Sequence, residues 1–306
     1  MIKFIVKRVI FSIISLLVLI VIVFTLTRLM PGNPFDYDNI NKSVRDEMLE
    51  HYGLDKPIMT QLGIYMGNLL KGDFGVSYKK TGTTVNELIA KEAVYTVRLG
   101  LISFAIALVL GIILGMWMAT TRHETVRGGL MAFTVMGISV PNYVLALILM
   151  LLFGVVFKLL PVVGLKSWQH YILPVAALTV YPLAQISKLV KSSYTEAAGQ
   201  DYVIMARAKG LSDRRIKFVH ILKNAIIPVI NASGPIIAFL LTGSFVVEEI
   251  FTINGIGKEF VNAVSNRDYT VIMGLTVFFG VVLMACNLLA DIICALADPR
   301  IKITDN

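Results

Sequence analysis

The chain has 306 residues, 56% of them apolar and only 16% charged, with a formal net charge of +8. A soluble domain averages about 45–50% apolar and about 25% charged residues, so this composition excludes an ordinary water-soluble globule. Six charge-free stretches hold the apolar excess: Val9–Thr27, Leu99–Thr121, Gly128–Phe157, Ser167–Ser187, Asn224–Val247 and Tyr269–Ala290. A bilayer core needs about 20 predominantly apolar residues as helix, which predicts an all-α integral membrane protein with six transmembrane helices.

The first span follows Lys3, Lys7 and Arg8. Its apolar run exceeds the roughly 7–15 residues of a signal-peptide core and no A-x-A site follows it, so it reads as a retained signal-anchor. The first 30 residues are thus an N-terminal segment plus helix 1. An extracytoplasmic insert of about sixty residues follows, spanning 31–95. It opens on "MPGNPFD", a helix stop, and continues with "NKSVRDEMLEHYGLDKP", a short amphipathic helix ended near Gly53 and Pro57. Next come a second short helix and a glycine-punctuated loop in "TQLGIYMGNLLKGDFGVSY", and "TTVNELIAKEAVYTVRLG" leads back to helix 2. The insert is too small and polar to be a solute-binding domain alone; it suits a cap over a pore or a docking surface.

With the N-terminus in the cytoplasm, fifteen Lys and Arg fall inside, against four outside (Lys158, Lys166, Lys258 and Arg267) when the long insert is set aside. Short loops obey the positive-inside rule while long ones translocate largely regardless of charge. Both termini are therefore expected to be cytoplasmic. A basic cytoplasmic face follows from topology and anionic lipid, so nucleic acid is not implied.

The core is expected over 96–300, with a cytoplasmic loop at 192–224 and a tail at 301–306. Span three contains "GISVPNYV", with Pro141 inside an apolar helix and Gly137 four residues earlier. Such a break is either a packing kink or the edge of a cavity. "ASGPIIAFLLTGSF" in span five has the same character. After it, "VVEEIFTINGIGKEFVNAVSNRDY" reads as a re-entrant or surface loop able to close an outer mouth. Cys286 and Cys294 lie eight residues apart on one span, and read as buried small hydrophobes.

Several chemistries are missing. The chain has no G-x-x-x-x-G-K-[ST], H-E-x-x-H or C-x-x-C motif, no G-x-S-x-G elbow, and no carboxylate in a span except Asp291 near the end of the last. Ion-coupled carriers place ionisable groups at mid-membrane. Energy must then come from another chain, unless the protein is a passive pore.

The cytoplasmic loop reads as helix, glycine break, helix: "DYVIMARAK", "GLS", "DRRIKFVHILK". Gly210 suits the position after a helix C-terminus and Ser212 can cap the next helix. A short helix with small and apolar residues (Val203, Ile204, Met205, Ala206, Ala208) and two cations (Arg207, Lys209) either enters a groove on a partner protein or lies on anionic lipid.

This loop resembles the coupling loop of ABC-importer permeases in its peptide/nickel variant, roughly D-Y-[VI]-x-x-A-R-A-K-G-L. Here it runs Asp201-Tyr202-Val203-Ile204-Met205-Ala206-Arg207-Ala208-Lys209-Gly210-Leu211. In the general pattern E-A-A-x3-G-x9-I-x-L-P, the glycine falls on Gly210 and the following leucine on Leu222. The glutamate then falls on Ile204 and the alanines on Met205 and Ala206. The visible E-A-A at Glu196, Ala197 and Ala198 is out of register and receives no coupling role. "HYGLDKP", "GDFGVSY", "GISVPNYV", "LTGSFVVEEIFTINGIG", "NRDYTVIMG" and "ADPRI" extend the resemblance over essentially the whole chain. The insert after helix 1 resembles that of the oligopeptide permease B subunit.

The resemblance implies a type I importer permease in a bacterial cytoplasmic membrane, with no catalytic residues and no cofactor or metal of its own. Its partners would be a second homologous permease, two cytoplasmic ATPase subunits that bind ATP and Mg, an extracellular solute-binding lipoprotein, a peptide cargo and membrane lipid. Asp201, Tyr202, Ala206, Arg207, Ala208, Lys209, Gly210 and Leu211 would contact the ATPase, with Ala206 and Gly210 on one close-approach face. Gly137, Pro141, Asn142, Thr242, Gly243, Ser244 and Phe245 are the candidate pathway residues. Within the same family, dipeptide, nickel, metal-chelate or haem cargo stays open; a secondary carrier or membrane enzyme would need a mid-membrane reactive set that the spans lack.

Overall fold

The structure is a computed structural model that describes residues 2–30, 49–50, 53–80 and 82–297. Its helices, in chain order, are α1 (Ile2–Leu29), α2 (Ile58–Leu70), α3 (Val85–Thr120), α4 (Glu124–Ser139) and α5 (Asn142–Leu149), which continues as wider π-helical turns through Met150–Val156. They are followed by α6 (Gln169–Ala198), α7 (Asp201–Ala208) and α8 (Asp213–Arg215), the last continued by a π-helical stretch Ile216–Ile221 and by Leu222–Ala225. The chain ends with α9 (Ile227–Leu241), α10 (Phe245–Ile250), α11 (Ile256–Asn266) and α12 (Tyr269–Ala297). Among the described residues there is no strand, only an isolated bridge between Val76 and Thr84. The motifs "MPGNPFD" and "ADPRI", the helix expected in "NKSVRDEMLEHYGLDKP" and the tail fall wholly or largely outside the described residues.

Five helical segments are long and apolar enough to cross a membrane, and the bent pair α4–α5 makes a sixth. Three boundaries differ from the expectation. Helix α3 begins at Val85, inside the stretch assigned to the insert, because Thr84 and Glu87 form a reciprocal capping box there. Its 36 residues make about 54 Å at 1.5 Å per residue, well beyond the roughly 30 Å of a hydrocarbon core. Span three is not one continuous helix: it bends by 101° at Val140–Pro141, because proline lacks the donor a helix needs and disfavours helical geometry in the residue before it. Span five stops at Leu241 and resumes as α10 after the turn Thr242–Ser244.

Helices α3 and α6 run parallel and form the centre of the bundle. Ser103 meets Val175 and Thr179, Gly111 meets Ile186 and Gly115 meets Val190, in step along both helices. The approach is so close that a Cβ on Gly115 would stand 2.5 Å from Val190 Cβ and 2.6 Å from the Ser187 carbonyl oxygen. Small residues permit this contact. Helix α12 lies antiparallel to α9, with Gly234 against Asn287 and Cys294 Sγ 3.6 Å from the Ile227 carbonyl. Both cysteines are free and buried. Helix α1 packs Ile20 and Phe24 inward and leaves Phe11, Ile14, Val18 and Leu26 exposed, as a span facing lipid would. At one end of this bundle Arg8 pairs with Asp291 at 3.2 Å and α7 projects; at the other the insert loop meets α11 and the start of α12.

Candidate functional site: a loop helix, a bend cavity and an end clamp

Helix α7 is seated on a small apolar cluster of its own. Val203 and Ala206 are buried against Tyr194, Ala197, Ile216, Ile221 and Ala225, with Met116 and Ala119 from the end of α3 beside them. The helix ends as its glycine requires: Gly210 adopts φ +71, its N–H donates to the Arg207 carbonyl and the Leu211 N–H donates to the Ala206 carbonyl. This is a Schellman closure, for which a left-handed residue after the C-cap is needed. Ser212 stands at the cap position of α8, but its side chain makes no capping hydrogen bond.

The eight residues expected to contact the ATPase therefore separate. Asp201, Arg207, Ala208, Lys209 and Gly210 are exposed, Tyr202 and Leu211 are half-buried, and Ala206 is buried at 5% exposure. The shared close-approach face of Ala206 and Gly210 does not exist, because Ala206 faces the bundle. Ile204 and Met205, absent from the candidate set, are exposed at 62% and 59%. Composition alone did not assign them: once the structure buries Val203 and Ala206 against the bundle, Ile204 and Met205 between them must face away from it. Glu196 sits exposed in the last turn of α6, and Glu196→Ala is expected to leave uptake within about twofold of normal, since surface substitutions away from partners usually change little. A complete loss of uptake would mean that the register on Gly210 is wrong.

The bend at Pro141 borders a cavity of about 690 Å³. Pro141, Asn142, Ser244 and Phe245 line it, together with Tyr181, Gln185 and Phe239. Thr242 and Gly243 line a second cavity of about 400 Å³ between α9, α11 and α12, and Phe245 borders both. Gly137 lines neither: a Cβ there would meet Ala184 Cβ at 3.0 Å, so it serves the contact between α4 and α6. Of the two readings of the Pro141 break, the cavity edge is the one observed.

The opposite end is closed by motifs far apart in sequence. Asp268 accepts from the Ser77 hydroxyl at 2.5 Å and from the Tyr78 and Lys79 N–H groups, and caps α12 by accepting from the Val271 N–H. Tyr78 packs edge-on against Tyr269, and the Arg28 guanidinium lies over the Phe24 and Tyr269 rings. Burial pushes the Tyr78 phenol above its ordinary pKa, while hydrogen bonds with Thr270 and Arg28 pull it down. Beside this clamp, Lys80 Nζ pairs with Glu259 at 2.5 Å and Glu92 at 3.9 Å.

A second buried carboxylate, Glu248, is 2% exposed. It accepts from Thr96 Oγ1 and the Lys258 N–H, each at 2.9 Å, and Thr96 in turn accepts from the Ile256 N–H. Its side chain lies so close to Gly243, Gly255 and Gly257 that a Cβ on any of them would come within about 3 Å of it. Gly243 also adopts φ +91, so the turn "TGS" and the turn "NGIG" are both shaped around one carboxylate. Glu248→Ala should lower the melting temperature of the detergent-solubilised protein by several degrees, since each hydrogen bond to a charged group contributes about 1.5–3 kcal/mol. An unchanged melting temperature would show that the carboxylate organises nothing.

Among the described residues of this arrangement no group of three or more His, Cys, Asp and Glu could hold a metal ion. The arrangement offers a projecting helix, a bend over a cavity and an end tied together by long-range hydrogen bonds, a framework suited to a membrane transport subunit. Comparison with known proteins agrees. The family described as "Binding-protein-dependent transport system inner membrane component" matches residues 111–303, and its N-terminal companion matches residues 1–98. The chain is similar to the dipeptide transport system permease protein DppB of Bacillus subtilis (strain 168), with 40% identity over 304 residues covering 99% of each chain. It is likewise similar to the oligopeptide transport system permease protein OppB of Haemophilus influenzae, with 37% identity covering 99% of this chain and 100% of that one. A solved structure of the inward-facing MetNI methionine ABC transporter superposes with a TM-score of 0.58 at 18% identity, covering 69% of this chain and 96% of that one; at that identity the likeness establishes the fold alone. With six potential spans, an importer-permease fold and two family matches that together cover most of its length, the chain belongs to the inner-membrane permease subunits of binding-protein-dependent ABC importers.

Proposed function

We propose that this permease carries peptides across the cytoplasmic membrane. The observation that supports the cargo is the full-length similarity, at 35–40% identity, to permeases of dipeptide and oligopeptide systems. Both termini and α7 lie in the cytoplasm on this reading, because the basic residues Arg122, Arg127, Arg207, Lys209, Arg214, Arg215 and Lys217 all gather at that end. Two ATPase subunits, which hold ATP and Mg, dock on the coupling helices of the permease pair, one of them on the exposed face of α7 of this chain: Ile204, Met205, Arg207, Ala208 and Lys209. A second, homologous permease covers the open cavity at the α4–α5 bend, so that the passage lies between the two chains. An extracellular solute-binding lipoprotein delivers cargo to the sealed end, where the clamp around Asp268 and Glu248 holds the mouth closed until the ATPases engage.

Mechanically, closing of the ATPase pair on ATP pushes α7. Helix α7 is welded to the ends of α3 and α6 through Val203, Ala206, Met116 and Tyr194, so that push is delivered to the central helix pair rather than absorbed in a loose loop. Cells lacking this gene, complemented with it and offered labelled peptides of two to five residues, test the reading. Uptake restored for peptides and abolished by depleting ATP is the expected result. Restored uptake of nickel, metal chelate or haem with no peptide uptake would replace the cargo, and uptake persisting without ATP would replace the mechanism.

A further inference from the structure

We propose that one face of α6, bearing Tyr181, Gln185, Lys188 and Ser192, is the wall that the cargo touches, and that Gln185 sets which charge a cargo may carry past it. The inference rests on the transport reading above. The four positions are spaced i, i+4, i+7 and i+11, which places them on a single helix face. The neighbouring face is committed to packing: Leu183, Ile186 and Val190 are buried against α3. Two cavities lie end to end along the polar stripe. The first, about 690 Å³ at the Pro141 bend, is lined by Tyr181 and Gln185; the second, about 470 Å³ and nearer α7, is lined by Gln185, Lys188 and Ser192. Ile138, Gln185 and Ile236 border both, so Gln185 stands at the junction.

The chemistry of the stripe fits a peptide main chain. Gln185 Nε2 donates to Tyr181 Oη at 2.6 Å, which leaves the glutamine carbonyl, its second N–H and the tyrosine O–H to offer. A peptide backbone presents one donor and one acceptor per residue, and neutral partners on an apolar wall meet it without regard to side chain. Among the described residues Lys188 is the only ionisable amine or carboxylate lining either cavity, and it stands at the α7 end, where it would meet a terminal carboxylate. From Tyr181 to Ser192 the helix rises about 16 Å, a length that four or five residues of extended peptide cover. Polar side chains have no reason to face hydrocarbon, where each unsatisfied group costs several kcal/mol; on an open cavity they stay wetted or bind.

The test uses the complete importer in cells lacking the native gene, with size-matched tripeptides of net charge −1, 0 and +1. Gln185→Glu should lower uptake of the anionic peptide about tenfold relative to the cationic one, and Gln185→Lys should invert that ratio, as expected for one added charge in a partly desolvated passage. Both variants should retain their ATPase subunits on purification. Equal loss of all three peptides in both variants would make Gln185 a packing or permease–permease contact and overturn the proposal. So would unchanged uptake of all three. Failure of the unsubstituted importer to take up any peptide would instead refute the transport reading on which the proposal stands.

Discussion

Arg207→Glu combined with Met205→Glu is expected to strip the ATPase subunits from the purified importer and to lower peptide uptake at least about tenfold, with the amount of permease in the membrane unchanged. The reason is placement. Met205 is 59% exposed and Arg207 is likewise outward, whereas α7 is held by Val203, Ala206 and the Gly210 closure. The substitutions therefore alter what the helix presents and not how it is seated. Arg and Met are enriched in protein interfaces, and truncating one central anchor commonly costs 2 kcal/mol or more, which exceeds the 1.4 kcal/mol of a tenfold change. Ala206→Glu would not serve, because it drives a carboxylate into the cluster of Tyr194, Ile216 and Ile221 and would destroy the loop whatever binds there. Intact co-purification of the ATPases with the double variant would remove α7 from the interface.

Gly115→Leu is expected to prevent accumulation of folded permease. The added Cβ would fall 2.5 Å from Val190 Cβ and 2.6 Å from the Ser187 carbonyl oxygen. One of those atoms is backbone, so neither helix can yield without separating from the other. Overpacking typically costs 1–3 kcal/mol where side chains can shift; here the helix pair that anchors the bundle must part, and the effect should lie at or beyond the top of that range. Gly129→Ala is the matched control: nothing lies within 4 Å of its Cβ position, and replacing a helical glycine by alanine favours the helix by about 1 kcal/mol. Size-exclusion profiles and melting curves in detergent compare the two. A Gly115→Leu protein that melts like the unsubstituted one would contradict the parallel packing of α3 and α6.

The spans were legible because a bilayer constrains both length and charge, and a charge-free run of that length has few other uses. Helix α7 and its end at Gly210 were legible for a local reason: the Schellman closure needs a residue that tolerates positive φ, and its hydrogen bonds lie within six residues. Local rules also misplaced things. The start of α3 was hidden because Val85–Tyr95 is polar enough to pass for the insert, although "TTVNE" contains the capping box that begins the helix. Ala206 was assigned outward because composition does not say which side of a two-turn helix is covered.

The end clamp was legible only as motifs without roles. "GDFGVSY", "TGSFVVEE", "NGIG" and "NRDY" look like separate turns, yet Ser77 meets Asp268 across 191 residues and Thr96 meets Glu248 across 152. No periodicity encodes such a pairing, since it depends on which helix ends the bundle brings together. The sequence by itself determined that the chain is a helical membrane protein with five to six candidate spans, which segment projects as a short loop helix and where that segment must turn. The tertiary structure alone decided which face of α7 is free, that the Pro141 break opens onto a cavity, and that Tyr181, Gln185, Lys188 and Ser192 are the uncovered side of α6. Length and local hydrogen bonding are properties of contiguous residues; which side of a helix is covered depends on its neighbours in space.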